Sequence, residues 1–140
     1  MAGTNKKSIT FIVEGEPQGK GRHRTTKTGH IFTPEKTTLY ENWVKTCYLS
    51  RTDKEMLIGE LKATIHAYYG IPKSKSLKVK RDMLDGVLRP IKKPDADNVS
   101  KVILDALNKI AYGDDAQIVE LTVCKFYAEQ GFVKIMLEEI

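Results

Sequence analysis

Between residues 96 and 110 the apolar side chains Val99, Val102, Ile103, Ala106, Leu107 and Ile110 recur at i, i+3, i+4, i+7, i+8 and i+11. That is the period of one buried face of an α-helix. On either side the period changes to two. Ser8 to Glu16 (SITFIVEGE) and Glu60 to Gly70 (ELKATIHAYYG) alternate and are rich in β-formers, and so are Gln117 to Tyr127 and Phe132 to Ile140. A chain that switches between these periods must lay helix stripes on sheet faces. A further helix is predicted from Thr33-Pro34, with the hydroxyl placed to cap and proline at the first helical position. Leu39, Trp43, Val44 and Cys47 form its expected buried face. A short helix fits Leu77 to Leu84. Gly113 supplies a stop after the long helix, and Gly131 turns the last two strands into an expected hairpin. The reading is a small α+β domain over 1–140, ordered β-α-β-(α)-α-β-β, with a mixed sheet and two main helices on one face.

Charge narrows the partners. The 23 Lys and Arg exceed the 18 Asp and Glu, giving +5, which permits a polyanion without establishing one. Gln18 to His30 has almost no apolar residue and carries Lys20, Arg22, Arg24 and Lys27 with no acid. Pro72 to Pro94, the least regular section, adds Lys73, Lys75, Lys92 and Lys93 among its eight bases against Asp82 and Asp85. Cys47 and Cys124 are too few for a disulfide framework and read as thiols of a reducing compartment. The longest apolar run near the start, Phe11-Ile12-Val13, is too short for a signal peptide or membrane span. The expectation is a soluble, cytoplasmic protein without a membrane partner.

Lys93-Pro94-Asp95-Ala96-Asp97-Asn98 sets two carboxylates two residues apart just before a helix. In extended chain, i and i+2 point to the same side. Two carboxylates aimed at one point repel unless a cation lies between them, and such oxygen ligands suit Mg²⁺. The structural alternative is that Asp95 caps the helix and Asp97 opposes its macrodipole. Asp97, Lys101, Asp105 and Asn108 share the helix stripe opposite the apolar one. They either form i,i+4 ion pairs worth a few tenths of a kcal/mol or leave Lys101 as a fixed cation for a phosphate oxygen. Asp114-Asp115 is a second acidic pair, in a turn where Asp is common. Four acids at two element ends amid basic loops are the charge map of a metal-dependent nuclease. Other matches fail. Gly19-Lys20-Gly21 lacks P-loop spacing, Asp95 to Ala106 has Ser100 and Ala106 where an EF-hand needs Gly and Glu, and the three histidines show no zinc spacing with the cysteines.

The sequence resembles the RusA family of Holliday junction resolvases, small endodeoxyribonucleases common in bacteria and their prophages. The resemblance is carried by Lys93-Pro-Asp-Ala-Asp-Asn-Val-Ser-Lys101, by Ile103-Leu-Asp-Ala-Leu-Asn108, and by Tyr112-Gly-Asp-Asp-Ala-Gln-Ile-Val119, ending near Lys125. Gly15-Glu-Pro-Gln-Gly-Lys-Gly-Arg22, Phe32-Thr-Pro34 and Ile71-Pro-Lys-Ser74 add weaker support. It implies a RusA-like fold and a Mg²⁺-dependent homodimer, with Mn²⁺ as a substitute, that cuts four-way DNA junctions symmetrically in recombination and repair. Asp95, Asp97 and Asp115 match the family's catalytic, metal-holding acids, Asp114 its neighbouring acid and Lys101 its essential lysine. The basic loops, with Lys20, Arg22, Arg24, Lys73, Lys75, Lys92 and Lys93, are then the DNA contacts. Rival readings are a non-enzymatic DNA- or RNA-binding module and a nuclease for other branched DNA. One geometric problem remains: a helix of about 14 residues is about 21 Å long, so one ion cannot reach both acidic pairs. Either the chain folds back after Ile110, the helix is interrupted, or antiparallel helices of a symmetric dimer bring one subunit's Asp95/Asp97 to the other's Asp114/Asp115.

Overall fold

Four strands of one sheet are laid down far apart in the chain, and their spatial order differs from their chain order. A computed structural model describes residues 5–21, 24–32, 34–51 and 55–140. Its elements are β1 (Ser8–Glu14), β2 (Arg24–Thr25), β3 (Ile31–Phe32), α1 (Glu35–Leu49), β4 (Leu61–Gly70), α2 (Leu77–Leu84), α3 (Ala96–Leu107), a 3₁₀ turn at Asp115–Gln117, β5 (Ile118–Ala128) and β6 (Phe132–Glu139). The main sheet runs β1-β6-β4-β5. β6 is antiparallel to both β1 and β4, while β5 is parallel to β4. It is a mixed α+β fold, as the periodicities imply.

Strand alternation fixes which face is covered. Ile9, Phe11 and Val13 of β1, every second residue of β4 from Leu61 to Tyr69, and Val133, Ile135 and Leu137 of β6 turn to one face and are buried. α1 and α3 pack on that face. Val99, Val102, Ile103, Ala106 and Leu107 of α3 lie at 1% exposure or less, and full burial of each larger side chain contributes about 1.5–3 kcal/mol. Among the described residues no helix is long and apolar enough to cross a membrane. Both cysteines are free.

Several sequence expectations are corrected. β5 and β6 do not form a hairpin, because β4 lies between them. β4 and β6 carry the fully buried alternate residues and take the centre, whereas β5 is half exposed and takes the edge. Residues 129–131 therefore cross two strand spacings, roughly 9.6 Å, which three residues can span. Gly131 is needed in that crossing, since a Cβ there would stand 2.8 Å from Glu16 Cα.

The buried face of α1 is Thr37, Tyr40, Val44 and Tyr48 rather than Leu39, Trp43, Val44 and Cys47. Leu39 is 61% and Trp43 43% exposed. The tyrosines bring more ring surface, with Tyr48 edge-on to Phe11 at 5.4 Å between centroids, and Trp43 instead donates its Nε1–H to Glu14 O at 2.8 Å. Pro34 sits at the N-cap without a side-chain cap, and Thr33 lies outside the described residues. α3 ends at Leu107, not Ile110. Lys109 takes the left-handed turn (φ 66°) that was expected of Gly113. The basic loop contains one short antiparallel pair, β2 with β3.

Candidate active site

The segment leading into α3 is a strap fastened at three carbonyls. Arg89 Nε donates to Lys125 O at 2.5 Å, Lys125 Nζ to Lys92 O at 2.6 Å, and the Tyr69 hydroxyl to Pro94 O at 2.5 Å. Pro90 is buried beneath it. Burial, then the charges of Asp95 and Glu16, push the Tyr69 phenol up to about 12, so it keeps its proton and remains a donor. These contacts place Asp95 at the carboxyl-terminal end of β4.

Asp95 occupies the N-cap position of α3, yet its carboxylate makes no capping hydrogen bond. Asp95, Asp97 and Lys101 are exposed; the Ser100 hydroxyl donates to Asp97 O at 2.8 Å, but among the described residues no ion pair or hydrogen bond engages the side chain of any of the three. The i,i+4 pairs expected from the sequence are not formed; Asp105 Oδ2 instead takes Lys20 Nζ at 3.2 Å. The capping reading of Asp95 thus loses its hydrogen bond, and among the described residues neither carboxylate at this end has a side-chain partner.

Beside them lies a cleft of about 770 Å³, lined in part by Gln18, Lys36, Lys93, Asp95 and Asn98. Its wall is the loop around Gly19, whose missing Cβ would meet Pro94 Cβ at 3.0 Å and Asn98 Cβ at 3.2 Å. Lys20 N–H donates to Asn98 O at 3.3 Å and Gly21 N–H to Thr37 Oγ1 at 2.9 Å. The loop is thereby clamped between the first turns of α1 and α3. Another depression, about 530 Å³, is lined by Ile12, Glu14, Glu16 and Phe132 on the β1 side of the sheet; its carboxylates and its position make it unsuited to a phosphate backbone.

The structure sorts the basic residues. Lys73, Lys75, Lys92 and Lys93 are exposed and belong to segments at the carboxyl-terminal end of β4, the same end as Asp95. Lys20 is turned inward. Its Nζ sits 2.7 Å from Glu41 and 3.2 Å from Asp105, with side chains only 16% and 17% exposed for Lys20 and Glu41. Burial opposes its charge, but hydrogen bonds to Glu41 and Asp105, with their charges, outweigh this and raise its pKa. Lys20, expected among the DNA contacts, is a strut joining the loop to α1 and α3. Arg22 lies outside the described residues, and Arg24 is placed only as part of β2.

The second acidic pair is elsewhere. Asp115 N–H donates to Asn108 Oδ1 at 3.1 Å, which ties it to the far end of α3. Gln117 Oε1 accepts from Gly113 N–H (2.9 Å) and Asp114 N–H (3.0 Å), and its amide donates to Gly59 O (3.1 Å). Burial, then a hydrogen bond with Asp114 and its charge, then the charge of Asp105, raise the Asp115 carboxyl. The twelve residues of α3 put about 18 Å between the two pairs. The sheet agrees: Asp95 stands by Tyr69, while Asp115 precedes Ile118, the partner of Leu61. Eight residues of β4 are about 26 Å. Among the described residues no group of three or more His, Cys, Asp or Glu could hold one metal ion.

Tyr69, Arg89 and Lys125 were not singled out from the sequence as site residues. Alternation gives a signal for two of them, because Tyr69 and Lys125 fall on the helix-covered face at the end of their strands, where a polar tip needs a partner.

The sequence matches the family described as Endodeoxyribonuclease RusA over residues 14–138. It is also 36% identical over 137 residues, 94% of this chain and 96% of the relative, to a Bacillus subtilis (strain 168) protein named uncharacterized protein YqaN.

Proposed function

Because this chain belongs to the RusA endodeoxyribonuclease family, we propose that it is a Mg²⁺-dependent nuclease that resolves four-way DNA junctions by paired symmetric cuts, as a homodimer whose active sites are each completed across the subunit interface. The observation that carries the composite site is the separation of the acids. Among the described residues, Asp95 and Asp97 have no side-chain partner at one end of α3, Asp114 and Asp115 are crowded at the other, and neither pair is a full ligand set. In a symmetric pair with antiparallel α3 helices, each end of one subunit meets the opposite end of the other.

The donor chemistry fits a hard divalent cation, since the available side-chain atoms are carboxylate oxygens. Asp95 and Asp97 would hold Mg²⁺, or Mn²⁺ in its place, and Asp115 of the second subunit would complete the set with Asp114 in support. When bound, the ion supplies Lewis-acid polarisation of a phosphoryl oxygen and acidifies water. Lys101, one turn from Asp97, presents its ammonium to the phosphate and offsets the charge that grows there. Lys73, Lys75, Lys92 and Lys93 hold the backbone of the arms.

Incubation with synthetic four-way, flap and linear duplex DNA, with Mg²⁺ and with EDTA, tests this reading. Paired cuts on the four-way substrate in Mg²⁺ alone are expected. Binding without cutting points to a non-enzymatic module, and cutting of flaps points to a different branched substrate. Mixing the inactive Asp97→Asn and Asp115→Asn proteins tests the shared site. Composite sites restore nicking at about a quarter of the wild-type number of sites, because half the dimers are mixed and each mixed dimer has one intact site. Sites contained in one chain restore none.

A further inference from the structure

Ile91 is 100% exposed. It is the most exposed large apolar side chain among the described residues, and its backbone is not free to turn it away. Here the strap is fastened on both sides, by Arg89 Nε to Lys125 O before it and by Lys125 Nζ to Lys92 O after it, with Pro90 buried next to it. The surrounding chemistry names the partner. Residues 86–94 contain Arg89, Lys92 and Lys93 and no acid, and the segment runs directly into Asp95. A polyanion suits the flanking cations, and an apolar tip between them meets what lies between phosphates, namely the bases.

We propose that Ile91 is a wedge that enters between base steps of branched DNA beside the active site, while Arg89, Lys92 and Lys93 hold the flanking phosphates. The inference rests on the DNA-cutting reading above and adds to it the element that distinguishes a branch from a duplex. Prying apart stacked base pairs is costly in intact duplex, and the burial of one aliphatic side chain offsets only part of that cost. At a branch point stacking is already interrupted, so the same insertion becomes favourable. The pinned backbone helps, since little freedom is left to lose on binding.

The test uses a four-way junction with 2-aminopurine at the branch point, in EDTA so that the strands stay whole. The wild-type protein is expected to raise the 2-aminopurine fluorescence severalfold. Ile91→Ser, at a fully exposed position that folding does not depend on, is expected to abolish the rise and weaken junction binding about tenfold. Linear-duplex affinity and the salt dependence of binding should stay unchanged, and Ile91→Leu should restore the signal. Equal fluorescence with wild type and Ile91→Ser overturns the wedge while leaving the nuclease reading in place. Conversion of a dimer to monomers by Ile91→Ser in sedimentation also overturns it, because the patch is then a subunit interface. Failure of the wild-type protein to bind any DNA, read by anisotropy in the same samples, overturns both readings.

Discussion

The two ends of α3 carry the same kind of residue in opposite surroundings. At the amino-terminal end, Asp95 and Asp97 stand in solvent beside Lys93 and a cleft, on a strap pinned to the sheet. At the other end, Asp114 and Asp115 sit in a turn whose backbone is held by Gln117 and Asn108, with Asp105 adding further negative charge. The first pair has Lys93 near it and, among the described residues, no hydrogen bonds to its carboxylates. The second has an ordered backbone, and the ammonium beside it, Lys109 Nζ, donates to Gly113 O at 3.3 Å, with no ion pair to either carboxylate among the described residues. Among the described residues neither end groups three metal-ligating side chains, and the difference teaches that one residue type at two ends of one helix takes its surroundings from packing.

The largest expected effect breaks the amino-terminal end. Asp97→Ala should abolish cleavage of four-way junctions while leaving their affinity within a few-fold in a gel-shift titration, because the ligand is lost and the basic surface is not. Retained cutting would remove Asp97 from the metal site. A smaller effect comes from the strut that joins both ends to the loop. Lys20→Met strands Glu41 and Asp105 without their cation, and urea unfolding should report a loss of about 2 kcal/mol; Lys20→Arg should keep most of it. The sign with pH follows from the raised Lys20 pKa. The strut's contribution is complete below the ordinary lysine range and fades as pH rises through the elevated value.

The smallest effect sharpens the contrast at the far end. In metal-free protein, Asp114→Asn removes a neighbouring charge, so the Asp115 carboxyl should titrate closer to the ordinary aspartate value in a ¹³C NMR titration. A raised acid favours its protonated form in the fold. Its contribution to stability is therefore present below the usual aspartate range and lost as pH rises through the raised value. An unchanged Asp115 titration would leave burial and the charge of Asp105 as what holds it there.

Much of this was legible from local pattern. The apolar stripe of α3, the alternation of β1, β4 and β6, and the short α2 at Leu77–Leu84 each follow from side chains a few residues apart. The separation of the acidic pairs was legible too, as a length of helix. What was not legible involved choices between distant competitors. Tyr40 and Tyr48 displaced Leu39 and Trp43 on α1 because a buried ring surface was available from β1. Lys20 was indistinguishable from Lys73 as a number in a basic loop, and only the approach of Glu41 and Asp105 turned it inward.

By itself, then, the amino-acid order determined the elements, the basic character of the loops and the placing of carboxylates at the two ends of one helix, since each depends on periodicity and neighbours along the chain. The tertiary structure alone decided that β4 separates β5 from β6, which lysine is a strut and which are exposed, and that Tyr69, Arg89 and Lys125 hold the strap carrying Ile91 into Asp95. These are settled by packing between segments tens of residues apart, where the same local pattern is compatible with several arrangements and burial selects one.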